Sequence, residues 1–406
     1  MKKYKAFTSI EAISFARTVP NLFLQDAILT SEEIDTGNSN VVFRIKDNDT
    51  GNSILFKQAL PNVNVVDEPL QIPVEHTRIE NDALSIQANY CPDLVPNVLY
   101  VDNDLSITVM GDYNDKIMMR TGLMSGGQYP LFPDHISTFL ANTHFFTSDL
   151  GMNQQKKKKL QQSFVNPERC KITEELTFEN PYYDAPENNI EAGLREAAQR
   201  IWKNTSLQYE VALLREGFLT HTQALLHGNL HTGNIFVTEE TTKVIAPEFA
   251  FFGPIGFDIG AVFAHLLLNA AGQSHWSKTA EECVYAQEHI FAMIIEIWCG
   301  FEQQFRNLWN TRGVDRLSKT PGYQNDFMQR LLKDTFGYTG CNMLRHVIGM
   351  SEVADLETIT NAKKRINAKH RALHTAEQLI LHHRKATSIV DLILFARSAM
   401  GTTVNI

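Results

Sequence analysis

The stretch LHGNLHTGNIFVTEETTKVIAPEFAFFGPIGFDIG, running from Leu226 to Gly260, decides how the rest of the chain is read. It opens with a short polar loop, His227-Gly228-Asn229-Leu230-His231-Thr232-Gly233-Asn234, and passes at once into an apolar run, Ile235-Phe236-Val237. A turn of Thr and Glu follows, then a second apolar run at Val244-Ile245, which breaks at Ala246-Pro247-Glu248. Two short apolar runs across a polar turn make the pattern of a β-hairpin, here with polar groups at both open ends. Loops held on rigid strands are where chemistry is usually placed. The two glycines of the loop let the backbone turn tightly or be approached closely. Its His and Asn side chains can contact a hydroxyl, a phosphate or a metal-bound water.

Outward from this stretch the chain divides in character. Toward the N-terminus, Ser9 to Ala16 reads as a short helix, and Glu33 to Val42 as a turn feeding a strand. Val41 to Ile45 and Ser53 to Lys57 alternate across an Asp-Asn-Asp-Thr-Gly-Asn turn, a hairpin signal, and Pro61 ends the run. Glu75 to Ala88 has helical spacing, with Ile79, Ala83, Leu84 and Ile86 facing inward. Val98 to Val101 and Leu105 to Met110 form another hairpin across Asp-Asn-Asp. From Pro133 to Ser148 the pattern turns helical, and helices are expected at Ile190 to Gly217, Ile259 to Ala271, Thr279 to Leu308, Asp326 to Val347 and Ala362 to His383. Asn166 to Asn188, rich in Pro, Asn, Tyr and Glu, reads as an irregular connection. The fold class is therefore α+β: a small β-rich lobe, then a large, mainly helical lobe.

With 406 residues, 43% of them apolar and 20% charged, the composition is that of a globular protein with room for two or three lobes. A net charge of −9 argues against general binding to nucleic acid or to an anionic membrane. The one basic run, Lys156 to Lys159, fits a solvated helix start or loop. Five scattered cysteines without a CxxC argue against a disulfide framework or a zinc site and fit a reducing cytosol. The N-terminus lacks the apolar core of a signal peptide, and the apolar runs near Val262 to Ala271 and Phe291 to Trp298 are short for a bilayer span.

The hairpin, together with Phe-Gly-Pro-Ile-Gly-Phe-Asp-Ile-Gly at 252–260 and Arg345-His346-Val347-Ile348-Gly349 followed by Ser351 and Ala354-Asp355, resembles the methylthioribose kinase family within the aminoglycoside phosphotransferase and choline kinase group. The resemblance runs from about Tyr4 to Arg397. It implies a bilobal protein-kinase-like fold, with a nucleotide-binding lobe over 1–113, a hinge at 110–113, and a helical lobe over 114–406 carrying the catalytic hairpin at 226–260. It also implies ATP and Mg²⁺ as cofactors, methylthioribose as the small-molecule partner, a cytoplasmic homodimer, and no nucleic acid or membrane. The family reaction phosphorylates the 1-hydroxyl of S-methyl-5-thioribose with ATP, in methionine salvage.

Phosphoryl transfer needs phosphate positioning, a divalent cation and a group that orients the attacking oxygen. For ATP the resemblance points to Asn38 and Asn40 on the first turn, and to Lys57 as a point charge for phosphate oxygens, held by Glu80. It adds Gly111, Asp112 and Tyr113 at the hinge, and Ala246, Pro247 and Glu248. Read alone, the Gly-Asn-x-Asn is an ordinary turn, and Lys57 with Glu80 an exposed pair. The resemblance makes Asn234 and Glu248 the candidate metal ligands and implies that Asn229, Arg345 and His346 contact the acceptor. Asp258 fits a brace beneath the hairpin.

Two decisive positions depart from the family pattern. Asn229 stands where the catalytic aspartate is expected, and Ala246 where the first carboxylate of Asp-Pro-Glu is expected. His346 replaces the second of two adjacent arginines, and Gly111 a glutamate at the hinge. An amide is no base near neutral pH, and losing general-base assistance typically slows a reaction about 10²–10⁴-fold. Three readings stay open: a slow methylthioribose kinase, a binding protein that keeps the pocket without turnover, and a kinase of another small alcohol.

Overall fold

A computed structural model describes residues 5–34, 40–60, 62–65, 68–71 and 75–401. The small lobe is built on a five-stranded antiparallel sheet. Its strands are β1 (Leu29–Ile34), β2 (Asn40–Asp47), β3 (Ser53–Ala59), β6 (Val98–Asp102) and β7 (Ile107–Gly111), in the order β1-β2-β3-β7-β6. The pair β4 (Asn62–Val65) and β5 (Glu68–Gln71) forms a separate hairpin. The alternation seen in the sequence buries Phe43, Ile45, Ile54 and Phe56 on one sheet face, where they meet Ala12 and Ala16 of the helix Ser9–Thr18. That helix starts on a reciprocal cap between Thr8 and Glu11. Register places Lys57 opposite Val42 and Thr108, in the middle of the sheet. The helix Glu75–Tyr90 lies beside it, with Ile79, Ala83 and Leu84 buried as expected and Ile86 half-buried.

The large lobe is organised around the helix Ile255–Trp276, which is buried along almost its whole length. At 22 residues it is longer than the apolar run suggested, and long and apolar enough to span a bilayer, but its apolar window lies wholly inside the fold. Gly256 and Gly260 let it touch the helix Tyr323–Val347 backbone to backbone: a Cβ at either would lie 2.9 Å from the amide of Thr335 or Thr339. The helices Phe132–Thr147, Ala280–Arg312 and Ala362–His382 complete the core.

Several expected elements differ in detail. The helix expected over Ile190 to Gly217 is two, Arg195–Lys203 and Thr205–Thr220, because Asn204 leaves helical geometry and caps the second by accepting from the Leu207 amide. The irregular connection contains a helix, Pro167–Glu174, started by its proline, followed by a π-turn over Glu175–Glu179. The basic run is not wholly solvated. Lys157 is buried, and its ammonium bonds Asp149 and the Thr222 carbonyl.

The decisive stretch forms β10 (Ile235–Val237) and β11 (Thr242–Val244), with β8 (Ile117–Met118) on the free edge of β10. Its base is closed by β9 (Ala224–Leu225) pairing with β12 (Phe252–Gly253) and by the Leu226 amide donating to the Phe251 carbonyl at 2.9 Å. The polar loop and the Ala246-Pro247-Glu248 segment are thus held side by side.

Candidate functional site

The loop rests on the first turn of the core helix. Asp258 accepts the His227 amide at 2.7 Å on one oxygen and the Gly228 amide at 3.0 Å on the other, and His144 Nε2 lies 3.1 Å away. The His227 ring then spans the site. Its Nε2 donates to the Ile245 carbonyl at 2.8 Å, so its Nδ1 is free to accept the Asn229 amide at 3.3 Å. Burial lowers the His227 pKa, with Asp258 opposing. Gly228 has φ +79°, and a Cβ there would sit 2.2 Å from the Phe249 carbonyl, so only glycine fits. The Asn234 Nδ2 donates to the Asn229 carbonyl at 3.0 Å, leaving its Oδ1 to meet a ligand. Ala246 has φ +59°, a left-handed conformation that Asp and Asn adopt more readily than Ala. Asn229, Asn234, Ala246 and Glu248 all keep partial exposure.

On the sheet side, Lys57 Nζ donates to both oxygens of Glu80, at 2.8 and 2.7 Å, within a nearly buried pair. Burial, the largest influence on Lys57, is outweighed by Glu80 and Glu248, which keep the ammonium charged. Glu248 lies across the cleft. Burial pushes its carboxyl up, but Arg169 and Lys57 overcome this and hold it ionised. Arg169 bonds Glu248 at 3.0 Å and packs over the Phe249 ring at 4.5 Å, while Asn166 donates to the Glu248 and Ala250 carbonyls. Pro247, between the two chemical positions, is buried. Just after β7, the Asp112 carboxylate accepts from Arg44 and Ser53, both at 2.7 Å, and from the Tyr113 amide. That side chain is occupied within the small lobe. Tyr113 is buried, with its ring tilted toward Phe236. Asn40 begins β2, opposite Ala59, whereas Asn38 lies outside the described residues.

The residues present make a poor resident site for Mg²⁺. Of the two candidate ligands only Glu248 is anionic, and it is already paired with Arg169 and next to Lys57. Ala246 adds no oxygen. Among the described residues no group of three or more His, Cys, Asp or Glu side chains could hold a metal ion.

Arg345 and His346, expected at the acceptor, lie in the last turn of the helix Tyr323–Val347. Arg345 donates to Thr177 Oγ1 at 3.2 Å, and burial pushes its pKa down to about 10. His346 Nδ1 lies 2.6 Å from the Ser351 carbonyl and donates to it. Three imidazoles stand in a row, His231 to His265 at 4.9 Å and His265 to His346 at 4.6 Å between ring centres. Burial lowers all three well below the ordinary histidine range, reinforced by neighbouring rings and by Arg120 and Arg345. Arg120 reaches His265 Nδ1 at 3.1 Å and Asp355 at 2.9 Å, and Asn269 donates to the other Asp355 oxygen at 2.8 Å.

Sequence reasoning missed Arg169, Arg120, His265 and the bracing His144. Arg169 sits in the segment read as irregular. Arg120 has no local signal at all, since its partner Asp355 lies near the other end of the chain.

A lysine–glutamate pair in a small sheet lobe, facing a braced hairpin loop on a helical lobe, defines a bilobal, protein-kinase-like fold of the small-molecule phosphotransferase type. The methylthioribose kinase of Geobacillus sp. (strain WCH70) is 43% identical over 401 residues, covering 98% of both chains. That of Bacillus pumilus (strain SAFR-032) is 38% identical over 396 residues, covering 97% of this chain and 98% of that protein. This chain belongs to the methylthioribose kinase family. Among solved structures, a choline kinase from Cryptosporidium parvum Iowa II aligns over 89% of this chain and 94% of its own, at 12% identity and TM-score 0.48. No family model matches the chain.

Proposed function

We propose that this chain binds ATP in the cleft between its lobes and transfers the γ-phosphate to the 1-hydroxyl of methylthioribose very slowly. The observation that carries this reading is the contrast between the two halves of the site. Lys57, Glu80, Glu248 and Arg169 form a closed network at the phosphate side. Asn229 and Ala246, at the transfer side, carry no carboxylate. Four cations (Lys57, Arg120, Arg169, Arg345) and four carboxylates (Glu80, Glu248, Asp258, Asp355) stand around the cleft. Lys57, whose ammonium stays charged, is on this reading the group that meets a phosphate oxygen. On this reading residues 1–113 form the nucleotide lobe, residues 114–406 the acceptor lobe, and the hinge lies at 110–113. The same family reading implies Mg²⁺ entering with ATP toward Asn234 and Glu248, and a cytoplasmic homodimer.

A second reading, a binding protein without turnover, is favoured by the pairing of Glu248 with Arg169, which occupies the remaining carboxylate. Calorimetry with ATP, with and without Mg²⁺, tests the shared premise. Binding that changes little on Mg²⁺ removal is expected; no binding at millimolar ATP refutes both readings. A coupled assay of methylthioribose-dependent ADP release separates them.

A further inference from the structure

Arg169 is built into the cleft wall rather than hung from the surface. It rises from the helix Pro167–Glu174, whose start is tied to the hairpin by Asn166, which donates to the Glu248 and Ala250 carbonyls. The guanidinium lies over the Phe249 ring at 4.5 Å and donates from Nη2 to Glu248 at 3.0 Å, with 10% of the side chain exposed. Its Nε is enclosed, whereas Nη1 is neither enclosed nor hydrogen-bonded among the described residues. One edge of the fork therefore holds a carboxylate and one nitrogen remains for a ligand.

The charges around it balance pair by pair. Lys57 meets Glu80, and Arg169 meets Glu248. His76, which burial and then Arg169 push down to about 4, is neutral beside them. A carboxylate at position 246 would leave this group with one negative charge in excess, and a phosphate chain would have to bring a cation with it. With Ala246 the balance is reached by side chains alone. Glu248 could serve a divalent cation only by releasing a guanidinium fixed to the same fold.

We propose that the Arg169 guanidinium takes the place of the divalent cation implied by the family resemblance, so that this site binds ATP as the metal-free anion. The proposal rests on the reading of the cleft as an ATP site. Lys57 gives the phosphate chain a point charge, and Arg169 gives it the free nitrogen of a fork that suits phosphate oxygens. Glu248 then holds the guanidinium in place instead of ligating a metal.

The test is calorimetry on the full chain with ATP, in EDTA and in excess Mg²⁺. ATP is expected to bind in EDTA at least as tightly as in Mg²⁺. Arg169→Met is expected to weaken binding in EDTA by about tenfold or more, the scale of one charge-assisted contact. Glu248→Gln releases the guanidinium and is expected to leave binding in EDTA intact or stronger, and binding in Mg²⁺ no weaker. Arg169→Met with Ala246→Asp frees one carboxylate and adds another, and is expected to bind ATP about tenfold or more tightly in Mg²⁺ than in EDTA. A purely structural tether would lower the thermal midpoint of Arg169→Met without moving the ratio of the two affinities. If circular dichroism shows that the Arg169 variants do not fold, Glu248→Gln decides, because it removes no cation. Weaker ATP binding by Glu248→Gln in either condition overturns the proposal. So does Arg169→Met that binds ATP in EDTA as the unmodified chain does, or a double variant indifferent to Mg²⁺. If the unmodified chain binds ATP only in Mg²⁺, this inference falls and the ATP reading stands; no binding in either condition removes both.

Discussion

Asp258 accepts the backbone amide of His227 at 2.7 Å, and both residues are buried. The carboxylate also takes the Gly228 amide and faces His144, so three donors converge on it. Asparagine cannot replace it, because its Nδ2 would face a donor. Asp258→Asn is expected to cost about 2–4 kcal/mol, from one charge-assisted hydrogen bond lost and one buried amide left unpaired. The urea midpoint measures the loss, and an unchanged midpoint would show that the brace carries no load.

Positive φ separates two positions in the same hairpin. At Ala246 a left-handed conformation costs a residue with a Cβ about 1–2 kcal/mol, and replacement by glycine returns about 0.5–1 kcal/mol as unfolded-chain entropy. Ala246→Gly should therefore be neutral to stabilising by about 1 kcal/mol. Gly228→Ala should cost about 3 kcal/mol or more, since its Cβ would stand 2.2 Å from the Phe249 carbonyl. Thermal midpoints of the two variants must move in opposite directions or, at least, differ by several degrees.

Lys57 and Glu80 are buried together, and breaking such a pair is harsher than removing it. Lys57→Met alone leaves Glu80 uncompensated and should lose about 3–5 kcal/mol of stability, whereas Lys57→Met with Glu80→Met should recover most of that. Both variants should lose ATP affinity by roughly tenfold or more, since the charge-assisted contact to phosphate is gone in each. Recovery of stability without recovery of ATP binding is the signature to look for. If the double variant binds ATP normally, Lys57 does not touch the nucleotide.

Burial pushes the Asp334 carboxyl up to about 6, with Arg330 opposing, from an ordinary value near 3.8. A raised folded-state pKa means that the native protein holds this proton more tightly than the unfolded chain. Its contribution is complete below about pH 4 and is lost as pH rises through about 6. Asp334→Asn should therefore stabilise the protein by about 1–2 kcal/mol at pH 8 and by clearly less at pH 5. Equal effects at both pH values would contradict the shift.

What the sequence revealed follows from which forces are local. Lys57 and Glu80 are paired by the family resemblance; read alone they are an exposed pair, and the structure instead nearly buries them. Asp258 could be read as a brace because it opens an apolar helix directly after the hairpin. Arg169 could not, because Pro167–Glu174 is short and lacks an apolar stripe, so its helix leaves little mark on the pattern. The break at Asn204 was equally silent, since a single capping residue interrupts an otherwise helical composition. The Arg120–Asp355 contact joins distant parts of the chain through tertiary packing, which no window of sequence contains.

Turnover is the sharpest test of the two altered positions. A hemiacetal hydroxyl is more acidic than an ordinary alcohol and needs a base less. The transition state of phosphoryl transfer is loose, so positioning and charge neutralisation carry more of the catalysis than proton removal. Asn229 can still orient the hydroxyl through its side-chain oxygen. Its loop keeps its geometry, held by His227 and Asn234. On the proposed function, restoring a carboxylate at Ala246 is expected to matter at least as much as restoring the base, and the left-handed backbone there suits an aspartate. Asn229→Asp alone should raise methylthioribose-dependent ADP release modestly. Asn229→Asp with Ala246→Asp should raise it by roughly 10³ or more, the scale of one restored base and one restored metal ligand. An unmodified chain that already turns over at about 1–100 s⁻¹, an ordinary kinase rate, would mean that another carboxylate does this work. A double variant that binds ATP yet stays silent would instead put the defect among the residues expected at the acceptor. His346, which stands where a second arginine is expected and packs edge-on against His265, is then the residue to change next.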